Sequence, residues 1–276
     1  MIQDINSIDK IKNFKLSLFN GTIFKFSRSA KALQLVSLIK KEINSRYTNN
    51  LDFLHLKKDS ELIAKNLIGF LKNQDQFLNI FREFLKEINF DTSECYQDKF
   101  VVRVAPAELK KATYEASRIG IHRDTWGTNI FQQINWWAPI NSLDKSNTLI
   151  FYPEYFNKPI KNTTSSWDLD IYLKKRKLGE FDYPSAPQLL EDLQVNTKVI
   201  KIDLKPGEVL CFSGSHLHSS SKENSNISRF SYEIRTVSQS DIKNNLKAPN
   251  VDCELNRQYP NIFKHIDNNK KLEIIS

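Results

Sequence analysis

The chain has 276 residues and a mass of 32.2 kDa, room for one large domain or two small ones. Hydrophobic residues make up 40% and aromatics 11%, enough to bury a core, which excludes a chain disordered throughout. Lys and Arg number 40 against 32 Asp and Glu, a net charge of +8. No RGG, RS or zinc-finger signature accompanies it, so it reads as solvated surface and nucleic acid is disfavoured as a partner. No stretch approaches the roughly 18 apolar residues of a membrane span. The opening MIQDINSIDK has no basic or apolar leader, and Cys95, Cys211 and Cys253 form no CxxC pair. A soluble, cytoplasmic protein is expected, with neither a disulfide scaffold nor a cysteine zinc site.

In chain order, apolar spacing near 3.6 residues predicts a helix over 27–43, through Ala30, Leu33, Val36, Ile39 and Ile43. The same period runs over 59–90, interrupted at Asn73-Gln74-Asp75, where Asp75 is placed to cap a second helix. These stripes read as packing surfaces. After about residue 99 the period falls to two, and strands are expected at 99–104, 129–137, 148–152, 198–204, 209–212 and 229–237. Pro206-Gly207 suits a tight turn. Residues 154–197 read as an insertion carrying Pro159, Pro184 and Pro187, with a basic helical piece at 167–177. The tail after Ser240 is polar and is expected to wrap the core. With only seven glycines there is no GxGxxG or GxxxxGK[ST] cradle, which counts against nucleotide-binding α/β folds. The expectation is a single α+β domain over 1–276 built on a β-sandwich or barrel. It has a mainly helical flank at 1–98, a core at 99–240 containing the insertion, and a tail at 241–276.

The histidines carry the chemistry. Of five, His55 and His265 have no ligand-spaced partner. His122 and Asp124 stand at i and i+2, which on an extended chain places both side chains on one face. Ser215-His216-Leu217-His218-Ser219 offers another imidazole from a different strand, with His216 and His218 expected on one face. Two imidazoles and one carboxylate leaving open positions is the geometry of a non-haem Fe(II) site. Further on, Arg229-Phe230-Ser231-Tyr232-Glu233-Ile234-Arg235 alternates strictly. Its Arg229 and Ser231 share a face suited to a carboxylate, a guanidinium fork plus one hydroxyl.

The order of these motifs resembles the Fe(II)/2-oxoglutarate-dependent dioxygenases, and within them the phytanoyl-CoA dioxygenase-like branch, over roughly residues 100–240. The resemblance implies a double-stranded β-helix (a jelly roll, cupin-like) with flanking N-terminal helices. It also implies Fe(II), 2-oxoglutarate and O2 as cofactor and co-substrates. His122, Asp124 and His218 become the metal ligands, and Arg229 with Ser231 the anchor for the distal carboxylate of 2-oxoglutarate. The 96-residue separation of His122 and His218 suits the branch's long insertion. Leu217-His218-Ser219-Ser220 matches the branch better than a pattern centred on His216, which is left supporting the ligands from behind or facing the substrate. Gln133 or Asn135 would donate to 2-oxoglutarate or substrate, or else bond within the sheet, and Trp126, Trp137 and Trp167 would wall the pocket, with Trp136 in the core. Asn147-Thr148-Leu149 lacks the branch's glycine, and Tyr152-Pro153-Glu154-Tyr155 replaces its Pro-Gly-Ser-His run.

The implied reaction is oxidation of a C–H bond of a small metabolite with release of succinate and carbon dioxide. Asp124 favours hydroxylation over halogenation, since halogenases of this type lack the carboxylate. The run Lys174, Lys175, Arg176, Lys177 is expected to form a lid over an anionic substrate. Arg229 and Arg235 are also similar to the paired arginines of AlkB-type nucleic-acid demethylases. Against that stand the long separation of the histidine motifs and the closeness of His218 to Arg229. A cupin-like isomerase, a zinc hydrolase with Glu233 or Glu154 as base, and a metal-free binding protein are the readings outside the oxygenases.

Overall fold

The computed structural model of the chain describes residues 2–47, 52–72, 74–105, 107, 120–143, 145–180, 182–221 and 225–274. Two short strands open it, β1 (Ile2–Ile5) and β2 (Ile23–Phe26), paired in parallel, with helix α1 (Phe14–Phe19) between them. Helices α2 (Ala30–Arg46), α3 (Ser60–Leu71) and α4 (Asp75–Glu87) follow. The Ser29 hydroxyl caps α2, accepting from the Ala32 amide at 3.1 Å. Asp75 is the first residue of α4 and not its cap, which is Gln74; its charge there still suits the helix N-terminus. Asn73, the other end of the predicted interruption, lies outside the described residues.

The remaining elements are β3 (Cys95–Gln97), β4 (Val101–Ala105), the helical turn α5 (Thr125–Thr128), β5 (Ile134–Pro139), β6 (Leu149–Phe151), α6 (Leu169–Leu178), β7 (Ile200–Lys201), β8 (Val209–Ser213), β9 (His218–Ser220), β10 (Arg229–Ser238), α7 (Gln239–Lys243) and β11 (Lys264–His265). Several of these differ from expectation in extent, among them β7, two residues long where a strand over 198–204 is expected. The first 98 residues are not only a helical flank, because β1, β2 and β3 join the main sheet. The strand expected from residue 129 begins at Ile134, because Asn129 takes a left-handed φ of 56° that ends α5.

The strands form two sheets. The larger has the order β1-β2-β8-β5-β10-β3-β11, with β4 also on β10; the smaller has the order β7-β6-β9. The chain crosses repeatedly between them: β5 lies in the large sheet, β6 and β7 in the small, β8 in the large, β9 in the small and β10 in the large. Alternation along the strands sets the layers. On one face of the large sheet Phe24, Phe26, Trp136, Cys211, Phe230, Tyr232 and Ile234 pack with Leu35, Ile39, Phe77, Phe81 and Phe84 of the helices. Trp136 is central there, with rings of Phe26, Phe81, Phe84 and Phe90 around it and its Nε1–H donated to Thr236 Oγ1 at 2.9 Å. It belongs to the core, as the sequence suggests. On the other face Trp137, Leu210 and Phe212 meet Leu149 and Phe151 of the small sheet. The order of layers is therefore helices, large sheet, small sheet.

Two connections hold this order. Pro206-Gly207 forms the expected tight turn, closed by the Glu208 amide on the Lys205 carbonyl at 2.9 Å. Gly207 has φ +91°, and a Cβ there would stand 2.5 Å from Leu33 Cδ2, so both backbone and space require glycine. The insertion and the tail pack together in a second cluster of Trp126, Tyr155, Ile160, Trp167, Leu255 and Tyr259. Among the described residues no helix is long and apolar enough to cross a membrane.

Candidate metal centre

The site forms where the small sheet meets the segment before β5. His122 and His218 are direct partners across an isolated antiparallel bridge and exchange both main-chain hydrogen bonds, at 3.0 and 2.9 Å. Residues paired in this way project side chains on the same face, which explains a ring-centroid separation of 4.4 Å. Asp124 arrives from a different geometry than the sequence suggested. It sits in helical conformation as the N-cap of α5 rather than on a continuing strand. The turn still carries its carboxylate to the same point: His122 Nε2 lies 3.8 Å from Oδ1 and His218 Nε2 3.5 Å from Oδ2. One donor atom from each residue falls within 4.8 Å of the others.

The two imidazoles are held with a lone pair inward. His122 Nδ1 lies 2.9 Å from the Gly120 carbonyl and His218 Nδ1 3.0 Å from the His216 carbonyl. A carbonyl only accepts, so the proton sits on Nδ1 and Nε2 faces Asp124 as a donor to a metal. His122 is pushed down to about 4, first by burial and then by the facing His218, which keeps it neutral at ordinary pH. Burial alone would raise the Asp124 carboxyl. The two histidines, Arg235 and the Asn135 amide outweigh it and hold it below the usual carboxylate range. Two imidazoles and one carboxylate are a donor set for a divalent transition metal.

Asp124 is oriented by a chain of amides. Thr128 Oγ1 donates to Gln133 Oε1 at 3.1 Å, Gln133 Nε2 donates to Asn135 Oδ1 at 2.9 Å, and Asn135 Nδ2 donates to Asp124 Oδ2. Gln133 is wholly buried and does not reach the cavity, so the expectation that it donates to a ligand is corrected: it is spent on Asn135, and Asn135 on Asp124.

Between His122 and Asp124, Arg123 points the other way. Its guanidinium donates to both Asp252 oxygens, to the Ser215 carbonyl at 2.6 Å and to the Tyr155 and Lys158 carbonyls at 2.7 and 3.0 Å. Asp252 also accepts from Trp126 Nε1 at 2.7 Å. Trp126 is thus fully buried behind the site and walls nothing. His216 is likewise turned away. Its nitrogens face the Ser213 and Gly21 carbonyls at 3.0 and 3.2 Å and its ring lies among Phe151, Phe156 and Phe212. It does not share a face with His218, because residues 213–217 turn before β9 begins.

A cavity of about 580 Å³ opens beside the triad. Trp137, Trp167, Arg229, Glu233 and Arg235 line it, as do Tyr172, Leu173 and Arg176 of α6. Arg229 is 4% exposed; its Nη2 donates to Ser220 Oγ at 2.8 Å, and its head stands 5.8 Å from the centre of the Trp137 ring. Ser231, two residues on, is wholly buried, and its hydroxyl has no hydrogen-bond partner among the described residues. Ser231 shares this face of β10 but does not line the cavity; Arg229 does, and a buried guanidinium there suits the carboxylate of a ligand. The basic run divides: Lys175 turns to Glu180 and Asp182 at 3.1 and 2.7 Å, and only Arg176 of the four lines the cavity.

Two ion pairs on the cavity wall were not foreseen. Arg103 donates Nε and Nη2 to Glu233 Oε1 at 3.0 and 2.5 Å, and Arg235 Nε donates to Asp98 Oδ2 at 2.5 Å. Arg103 faces Ser231 in the β4–β10 register, so alternation along 101–105 could have found it. Glu233 is taken up by Arg103, which weakens it as a base.

No family model matches the sequence, and no curated protein matches it. Among solved structures it is similar to EvdO2 from Micromonospora carbonacea var. aurantiaca complexed with 2-oxoglutarate, at 10% identity, covering 85% of this chain and 94% of that chain, with a TM-score of 0.45. It is similar to EctD from S. alaskensis with bound Fe, at 12% identity over 87% of this chain and 80% of that chain, TM-score 0.41. The non-heme alpha-ketoglutarate-dependent epimerase SnoN from nogalamycin biosynthesis matches at 10% identity over 81% of each chain, TM-score 0.41. These likenesses are distant in backbone as in sequence, so the chemistry has to come from this chain's own donors.

Proposed function

We propose that the chain is a non-haem Fe(II)- and 2-oxoglutarate-dependent oxygenase with a jelly-roll core, hydroxylating a C–H bond of a small-molecule substrate. The observation that carries this reading is the convergence of two imidazole Nε2 atoms and one carboxylate, with both Nδ1 atoms tied back to carbonyls. The repeated crossing of the chain between two facing sheets supports the jelly roll.

His122, Asp124 and His218 would hold the iron from one side, leaving its other face to exogenous ligands. Arg229 would take the distal carboxylate of 2-oxoglutarate, with Ser220 and the Trp137 ring fixing the plane of the guanidinium and Ser231 on the same face of β10 behind it. Iron bound there, with O2 and 2-oxoglutarate, supplies the oxidation of a C–H bond coupled to release of succinate and carbon dioxide. Asn135 keeps one Asp124 oxygen engaged, so the carboxylate presents the other. The presence of Asp124 supports hydroxylation over halogenation.

Anaerobic visible absorption after adding Fe(II) and 2-oxoglutarate tests the reading. A charge-transfer band is expected in the wild type, lost in His218→Ala and weakened in Arg229→Ala. Absence of the band in folded wild-type protein would overturn it.

A further inference from the structure

The cavity carries a charge that the proposed metal and co-substrate leave unbalanced. Among the described residues eight cationic side chains line it against three carboxylates. Arg123 is met outside the cavity by Asp252 at 2.9 Å; with Arg176 and Arg229 also set aside, five cations (Lys72, Lys99, Arg103, Arg235, Lys264) stand against three carboxylates. A divalent metal and a dicarboxylate cancel one another, so the excess persists when both are bound. In a concave site walled by protein, such an excess focuses a positive potential on whatever else enters.

The excess has a location. Arg103 and Arg235 are held by Glu233 and Asp98. Lys72, at the C-terminal end of α3, Lys99, between β3 and β4, and Lys264, on β11, have no carboxylate within salt-bridge distance among the described residues and line the same cavity. Their elements adjoin: α3 packs on β4, β4 and β3 both pair with β10, and β11 pairs with β3. All three lysines are exposed, and Lys99 is pushed below the usual lysine range by desolvation and the like charges of Lys72 and Arg235, against an opposing pull from Asp98. The insertion lines the cavity with groups of another character: Trp167, Leu169, Tyr172 and Leu173.

We propose that the primary substrate is an organic anion, a carboxylate or phosphate monoester on an apolar or aromatic body. Its charge is held by Lys72, Lys99 and Lys264, and its body lies on Trp167, Leu169 and Tyr172. The proposal rests on the oxygenase reading, which assigns Arg229 to a different anion. It moves the anion contact from the predicted basic run, of which only Arg176 lines the cavity, to three lysines that the sequence scatters over almost 200 positions.

Calorimetry under argon, on protein loaded with Fe(II) and 2-oxoglutarate so that Arg229 is occupied, tests it with phenyl phosphate, benzoate and benzyl alcohol as probes. The better-bound anion of the two is expected to bind about tenfold tighter than benzyl alcohol. It should weaken with added salt, and lose about fivefold in Lys99→Gln/Lys264→Gln, while the charge-transfer band and benzyl alcohol binding stay unchanged. The preference between phenyl phosphate and benzoate identifies the anion. Equal binding of the charged and uncharged probes, an unaffected double variant, or binding of a single-stranded oligonucleotide in preference to phenyl phosphate would overturn the proposal. If the band never forms, the oxygenase reading falls alone. Phenyl phosphate is then titrated into metal-free Arg229→Gln protein: binding lost in the lysine variant upholds the anion site, and no binding removes it.

Discussion

At the scale of single residues, Asp124 is the donor with the most to lose. Its Oδ2 is the end of a relay in which every amide has one admissible orientation, because Thr128, Gln133 and Asn135 each donate forward. Asn135→Leu keeps the branched outline and removes the last donor. Metal affinity is expected to fall about 10–100-fold with the fold intact, measured by anaerobic Fe(II) titration alongside circular dichroism. Gly214→Ala should reach the same carboxylate without touching it, because a Cβ there would stand 2.6 Å from Gln133 Nε2. A smaller loss of affinity is expected, and equal affinity to wild type in both variants would refute the relay. Residue identity in the triad was legible, since His122, Asp124 and His218 have the right chemistry at readable spacings. The directions of the amides were not legible. Gln133 and Asn135 offer donors and acceptors alike, and it is the Asp124 carboxylate, which only accepts, that turns Asn135 Nδ2 towards it and so sets Gln133 and Thr128 behind.

At the scale of elements, the organising contact is Arg123 with Asp252. One guanidinium joins the turn bearing Asp124, the loop that leads to His218, the start of the insertion and the tail. Removing one partner of a buried, fully hydrogen-bonded ion pair costs about 3–5 kcal/mol. Asp252→Asn is therefore expected to lower Tm on the order of 10 °C in a chain of this size and to weaken metal binding although Asp252 is not a ligand. Differential scanning calorimetry and the same Fe(II) titration check both; an unchanged Fe(II) affinity would confine Asp252 to stability. The helices α2, α3 and α4 were legible because each repeats its apolar stripe over several turns. Strands β1, β2 and β3 were not, being three or four residues long, too short for a period of two to stand out. The Asp252 contact was beyond reach as well, since nothing local to a polar tail says which buried arginine it meets.

At the scale of the whole molecule, β10 disclosed the layering before any coordinates: Phe230, Tyr232 and Ile234 face the helices, while Arg229, Glu233 and Arg235 face the cavity. The two buried clusters, the helix-facing core and the packing of insertion on tail, also determine how the protein answers alkali. Burial pushes the Cys95 thiol up to about 12 and Cys253 to about 11, and lifts Cys211 and the Tyr232 hydroxyl as well. In the unfolded chain these thiols ionise near their ordinary value of 9.0, while the folded protein keeps them neutral. Their contribution is therefore intact below pH 9 and is lost as pH rises towards 11 and beyond. The urea midpoint should fall between pH 8 and pH 10.5, and a thiol reagent at pH 8 should label the native protein only after denaturant is added. Rapid labelling without denaturant would contradict this burial.

The bridge between His122 and His218 makes the backbone itself a gauge of occupancy. Each of the two amide protons is secured only as long as the other residue stays opposite, and a metal gripping both rings would brace that pairing from the side-chain end. Deuterium uptake at these two amides should slow when Fe(II) is added and quicken with a chelator, while the amides of β10 are unmoved. Loading of the centre can then be read as an exchange rate, proton by proton, in a protein that has turned over nothing.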